Sequence, residues 1–99
     1  MMFKQVIYYF IAVVEEGSFS KAAKKYYLSQ SAISQQITKL ENDLGFLLFN
    51  RKTYYPTLTK EGKRYYQLVK KLMNDYQNEY EDLKENLKKE ILEELKKDE

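Results

Sequence analysis

Apolar residues recur at helical spacing over most of this chain, and the breaks in that rhythm divide it into elements. Phe3, Val6, Ile7, Phe10, Ile11 and Val14 predict a first helix over residues 3–16. Gly17 ends it, because glycine takes the left-handed conformation that follows a last turn. Ser18 is placed to cap a second helix with Phe19, Ala22, Ala23 and Tyr26 inside and Lys21, Lys24 and Lys25 outside. The adjacent alanines remove bulk where another helix must come close. A connection of a few residues around Leu28 leads to Ser29, which caps a third helix. There Ile33, Ile37, Leu40 and Leu44 follow steps of four, three and four, and Gly45 stops the pattern. Two short helices joined by a tight turn describe a helix-turn-helix, about residues 18–37. Packing of three helices accounts for these apolar positions, so they are core and not site.

The rhythm then changes. Phe46-Leu47-Leu48-Phe49 is too short for a helix, and Thr57-Leu58-Thr59 follows Pro56. Paired antiparallel, the two pieces form a small wing with Arg51 and Lys52 at or near its tip, a basic pair read, beside a helix-turn-helix, as a phosphate or minor-groove contact. Thr59 caps a last helix, and Glu61 stands where the helix dipole favours an acid. Its apolar positions are Tyr65, Val69, Leu72, Tyr76, Tyr80, Leu83, Leu87, Ile91 and Leu95. From Val69 to Ile91 the steps repeat every eleven residues, about 3.67 per turn, which predicts nearly straight helices. About 37 helical residues make a rod of roughly 55 Å. A 58-residue head cannot cover such a stripe. It needs a helical partner, most simply a second copy of the chain. On the exposed side, Glu85 with Lys89 and Glu93 with Lys97 support the helix by ~0.2–0.5 kcal/mol each.

Composition narrows the chemistry. Ninety-nine residues make one domain, or a small domain with an appendage. Cysteine and histidine are both absent, which removes disulfides, the usual zinc sites and His-activated nucleophiles. There is no Gly-rich phosphate loop, and the acids at 15–16 and 41–43 fall on helix ends or faces, where they read as surface charge. An enzyme is therefore the least favoured class, and no cofactor or metal is expected. No apolar run reaches roughly 18 residues and no signal peptide is visible, so the expectation is a cytoplasmic protein without a membrane partner. The net charge of +2 conceals an asymmetry. Residues 1–70 carry eleven Lys/Arg against five Asp/Glu, whereas residues 71–99 carry six against ten. A basic front attracts a polyanion; an acidic tail is kept away from one.

The third helix has an unusual outer side. Gln30, Ser31, Ser34, Gln35 and Thr38 are uncharged, and their hydroxyls and amides both donate and accept. Such a face suits phosphate oxygens and base edges together; a Ser/Gln-rich solvent face is the plain alternative. Of ten tyrosines, four adjacent pairs are spread over different elements, so they are not read as a stacking platform for single strands. Tyr54 stands apart because it lies in the wing.

These residues together resemble the DNA-binding part of the LysR-type transcriptional regulators, over about residues 3–65. The resemblance is carried by Phe10-Ile11-Ala12-Val13 with Glu15-Glu16-Gly17-Ser18-Phe19, by Ala22-Ala23, and by Leu28-Ser29-Gln30-Ser31-Ala32-Ile33-Ser34-Gln35-Gln36-Ile37 with Leu40-Glu41. Leu44-Gly45, Leu48-Phe49, Arg51 and Leu58-Thr59 with Gly62 follow in order. It implies a mainly α fold: a winged helix-turn-helix over residues 1–58, of three helices and a two-stranded wing, followed by a long dimerisation helix over 59–99. It further implies a homodimer paired antiparallel through that helix, bound to double-stranded DNA. Gln30, Ser31, Ser34 and Gln35 would contact bases and phosphates, with Thr38 beside them, Ser18 placing the first amides of its helix near a phosphate, and Arg51, Lys52 and Tyr54 on the wing.

Three positions depart from the family pattern. Ser31 stands where proline is common, Gln35 where many members have arginine, and Tyr54 where the wing often has arginine. The Gln favours adenine over guanine. Family members normally continue into an effector-sensing domain, whereas this helical pattern persists to residue 99. That tilts the expectation toward a short regulator over a fragment and leaves no basis for a small-molecule effector. A second reading is an interaction module that pairs with a full-length relative and modulates its DNA binding.

Overall fold

Each helix of the computed structural model, which describes residues 3–97, begins or ends on a residue suited to that position. Helix α1 (Gln5–Glu16) closes on Gly17, whose φ of 69° lets its N–H reach the Val13 carbonyl at 2.9 Å. Helix α2 (Phe19–Lys25) is capped by the Ser18 hydroxyl, which accepts from the Lys21 N–H at 3.2 Å. Helix α3 (Gln30–Leu44) is capped by Ser29, accepting from the Ala32 N–H at 3.1 Å, and ends on Gly45 at φ 85°.

The α2–α3 turn is the exception. The N–H groups of Tyr27 and Leu28 donate to the carbonyls of Lys24 at 3.2 Å and Ala23 at 2.9 Å, the paired bonds of a Schellman ending. Glycine usually holds the left-handed position of that motif. Here Tyr27 does, at φ 58° and 96% exposed.

The head core lies among these helices and the wing. Phe10, Ile11, Ala12 and Val13 enter it from α1, Ala22 and Ala23 from α2, and Ile33, Ile37 and Leu40 from α3. The alanine pair allows α2 to pack against both α1 and α3. Four consecutive buried residues show that α1 is covered on more than one side, and Val14 after them is half-buried. Aromatic edges join the layers: the Phe49 ring lies 5.5 Å from Phe10 and 5.4 Å from Phe19.

The wing is smaller than its apolar run suggests. Strands β1 (Phe49–Asn50) and β2 (Thr57–Leu58) pair antiparallel, with Phe49 opposite Leu58 and Asn50 opposite Thr57. Of Phe46–Phe49 only Phe49 is in the strand. Leu48 is fully buried, and a side chain takes its N–H.

Thr59 joins the wing to helix α4 (Lys60–Lys97). Its hydroxyl accepts from the Gly62 N–H at 2.9 Å and donates to the Leu47 carbonyl at 2.6 Å, while its own N–H reaches the Leu48 carbonyl at 2.9 Å. Gly62 passes so close to that carbonyl that a Cβ would overlap it. The chain divides into two compact units, Met1–Gln67 and Leu68–Glu99, so the first two turns of α4 are part of the head. Tyr65, expected in the dimer stripe, packs there, its ring 5.4 Å from Phe10 and 6.4 Å from Phe46. Burial raises its phenol pKa. Beside it, the Tyr66 hydroxyl donates to Glu15 at 2.9 Å.

The second unit is a single helix with a different surface. Leu68, Leu72, Tyr76, Tyr80, Leu83, Leu87, Ile91, Leu92 and Leu95 are each 41–60% exposed, whereas Val69 is buried. Tyr76 and Tyr80 stack at 6.1 Å, and Lys84 lies over the Tyr80 ring. Glu85 pairs with Lys88 at 3.9 Å and not with the expected Lys89. Lys71 pairs with Asp75 at 2.7 Å. These exposed pairs contribute little, ~0.3–0.5 kcal/mol each.

Candidate nucleic-acid interface

Because α3 buries Ile33, Ile37 and Leu40, helical geometry turns Gln30, Ser31, Gln35 and Thr38 outward, all exposed, with Ser34 half-exposed. The Ser31 hydroxyl lies 3.3 Å from that of Ser29, at the capped start of the helix. The exposed face has both donors and acceptors and no net charge.

Arg51 is not at the wing tip. It follows β1 directly and folds back onto α3, where its Nη1 donates to Ser34 Oγ and Thr38 Oγ1, each at 3.2 Å. Its Nη2 meets Glu41 Oε1 at 3.4 Å, and the guanidinium lies 5.1 Å from the centroid of the Phe19 ring. Ser34, Thr38 and Glu41 are spaced by four and three residues, so one face of α3 offers three acceptors in a row. That row and an aromatic ring outcompete solvent for a planar cation.

Glu41 corrects a sequence reading. It is not helix-surface charge but 4% exposed, and its Oε2 accepts from the N–H groups of Leu48 at 2.7 Å and Phe49 at 3.2 Å. One carboxylate thus satisfies the backbone entering the wing and pairs with Arg51. Periodicity hid this residue, since the apolar stripe names Leu40 and leaves its neighbour as an ordinary acid. The available signal was that Glu41 is a helical neighbour of Ile37 and Leu44, on the inward-facing arc.

Beyond Arg51 the wing is exposed. The Lys52 N–H donates to Asn50 Oδ1 at 3.1 Å and the Thr53 hydroxyl to the Tyr55 carbonyl, which hold the turn locally. Tyr54 is 91% exposed, with its ring edge-on to Tyr55 at 4.7 Å. A shallow hollow of about 220 Å³ is lined by Gln30 and Ser34 of α3, by Phe19, and by Arg51, Thr53, Tyr54 and Pro56. The fold therefore brings Gln30, Ser34, Arg51 and Tyr54 together. Lys52 and Thr38 line a neighbouring hollow, and Ser18 sits apart at the start of α2. Lys21, Lys24 and Lys25 are exposed along α2. Of the expected dimer residues, Tyr65 is half-buried and Val69 is buried. Leu72, Tyr76, Tyr80, Leu83, Leu87 and Ile91 are exposed.

Residues 5–63 match the model of the bacterial regulatory helix-turn-helix protein, lysR family. The chain is 45% identical over 67 residues to the transcriptional regulator BenM of Acinetobacter baylyi, and 39% identical over 66 residues to CrgA of Neisseria meningitidis. Each alignment takes in about two thirds of this chain, 68% and 67% respectively, and 22% of the relative. Among solved structures, the BenM DNA-binding domain in complex with benA site 1 DNA superimposes with a TM-score of 0.73 at 39% identity, over 81% of this chain and 90% of that one. The CbnR DNA-binding domain–DNA complex gives 0.67 at 32% identity, over 75% and 85%.

Proposed function

We propose, from the premise that this chain belongs to the lysR family of bacterial helix-turn-helix regulators, that it binds specific duplex sites as a homodimer. DNA-binding transcription regulation is the family's function, and the fold and relatives are those of such regulators and not of enzymes. In this reading α3 enters the major groove and the wing meets the adjacent groove or backbone. The observation that carries it is the exposed, uncharged hydroxyl and amide face of α3.

Gln30, Ser31, Ser34, Gln35 and Thr38 reach bases and phosphates, and Lys52 and Tyr54 act from the wing. The capped start of α2 at Ser18 offers its amides to a phosphate, since a helix N-terminus favours negative charge. Two recognition helices need a dimer, and the exposed apolar row from Leu72 to Ile91 supports one. The comparisons with DNA-bound relatives do not favour a module that only modulates another regulator.

The test is duplex binding across a salt series. Affinity should fall steeply between ~50 and ~200 mM salt, because phosphate contacts release counterions. Binding insensitive to salt contradicts the reading.

A further inference from the structure

We propose that Arg51 is a positioning residue that sets Ser34 and Thr38 as outward hydrogen-bond donors, and that it does not itself hold a DNA phosphate. The inference rests on the reading that the outer face of α3 meets DNA, and it reverses the role first expected for this arginine.

Both terminal nitrogens of Arg51 donate to side chains of α3. Nη1 is shared between Ser34 Oγ and Thr38 Oγ1 at 3.2 Å, and Nη2 meets Glu41, a carboxylate 4% exposed that neutralises the guanidinium. The Phe19 ring supports the plane at 5.1 Å. Arg51 is 38% exposed on its side chain, yet its hydrogen bonds are made to α3.

The consequence falls on the two hydroxyls. A hydroxyl has one donor and two acceptor lone pairs. Each oxygen here accepts from Arg51. Among the described hydrogen bonds neither hydroxyl donates back to the carbonyl of the preceding helical turn, the usual local alternative. Each O–H is therefore the group left for an incoming ligand, and its natural partners are acceptors: phosphate oxygens, or the N7 and carbonyl edges of bases in the major groove. The wing thereby fixes the hydrogen-bonding polarity of the recognition helix. A lysine at 51 would keep the charge but lack the planar fork that reaches two hydroxyls and a carboxylate together.

The experiment compares wild type with Arg51→Gln and Arg51→Lys in titrations of one selected duplex and its single-base variants, over several salt concentrations. The proposal expects both variants to lose affinity about tenfold, the scale of a lost hydrogen-bonded contact. Both should lose discrimination among the base variants and keep the wild-type salt slope. A slope shallower by about one unit per protomer for Arg51→Gln identifies a lost phosphate contact and overturns the proposal. So does full rescue by Arg51→Lys.

Thermal melts report whether either variant fails to fold. In that event the Ser34→Ala, Thr38→Ala double variant, which removes both hydroxyls and leaves Arg51 its pair with Glu41, decides. It should reproduce the lost discrimination at an unchanged slope, and wild-type discrimination by it overturns the proposal. No binding of any duplex by the wild type overturns the functional reading, and this inference with it. A changed slope in a chain that does bind overturns the inference alone.

Discussion

A tyrosine occupies the left-handed position that ends α2, and the strain there is local. The left-handed conformation costs a residue with a Cβ about 1–2 kcal/mol, while glycine gives back part of that gain as unfolded-state entropy. Tyr27→Gly should raise stability by about 1 kcal/mol, seen as a higher urea midpoint at unchanged slope. Gly62 behaves oppositely. Alanine is favoured over glycine inside a helix by about 1 kcal/mol, but its Cβ would overlap the Leu48 carbonyl. Backbone cannot swing away as a side chain does, and overpacking costs about 1–3 kcal/mol. Gly62→Ala should therefore lower the urea midpoint.

Tyr65 makes the third case at this scale. Burial raises its pKa in the folded state. The unfolded chain then releases its proton first, and stability falls as pH rises from about 10 toward the folded value. Tyr65→Phe should flatten that alkaline decline relative to wild type in melts between roughly pH 9 and 11.

At the scale of elements, what was legible in the sequence is what local chemistry decides. Ser18, Ser29 and Thr59 mark helix starts, and Gly17 and Gly45 mark stops, because caps depend on the first or last turn alone. The inner faces of α2 and α3 were legible for the same reason, since periodicity assigns apolar residues directly. The clasp between α3 and the wing was not. Whether Glu41 is buried, and whether Arg51 points to solvent or back to α3, depends on residues ten positions apart meeting in space. Periodicity carries no such pairing. The wing strand was overestimated likewise, because an apolar run cannot show that the N–H of Leu48 answers to a carboxylate.

Removing that carboxylate should be expensive. Glu41→Ala leaves two buried N–H groups without an acceptor and Arg51 without its counterion, a cost of about 3 kcal/mol. Glu41→Gln keeps an acceptor oxygen, so it should lose less. Denaturant unfolding of both variants checks the order.

At the scale of the whole molecule, the resemblance to LysR-type regulators identified the family, and the matches to the DNA-binding domains of BenM and CbnR agree. The chain spans 22% of the length of the BenM and CrgA relatives, so what those proteins do beyond this region is not transferred. The proposed dimer rests on the exposed row of α4. Burying one leucine contributes about 1.5–3 kcal/mol, and a two-fold pair buries it twice. Leu87→Lys should thus weaken self-association by about a hundredfold or more, measured by sedimentation. DNA affinity should fall with it, since one recognition helix cannot hold two half-sites.

Selection of bound duplexes from a random pool tests the central claim most directly, because it reports binding, half-site sequence and symmetry together. The account predicts enrichment of an imperfect inverted repeat whose two half-sites lie on one face of the duplex, and loss of its base preferences in the Gln30→Ala and Gln35→Ala variants. A pool that stays random, or an enriched site that both variants bind unchanged, would contradict it.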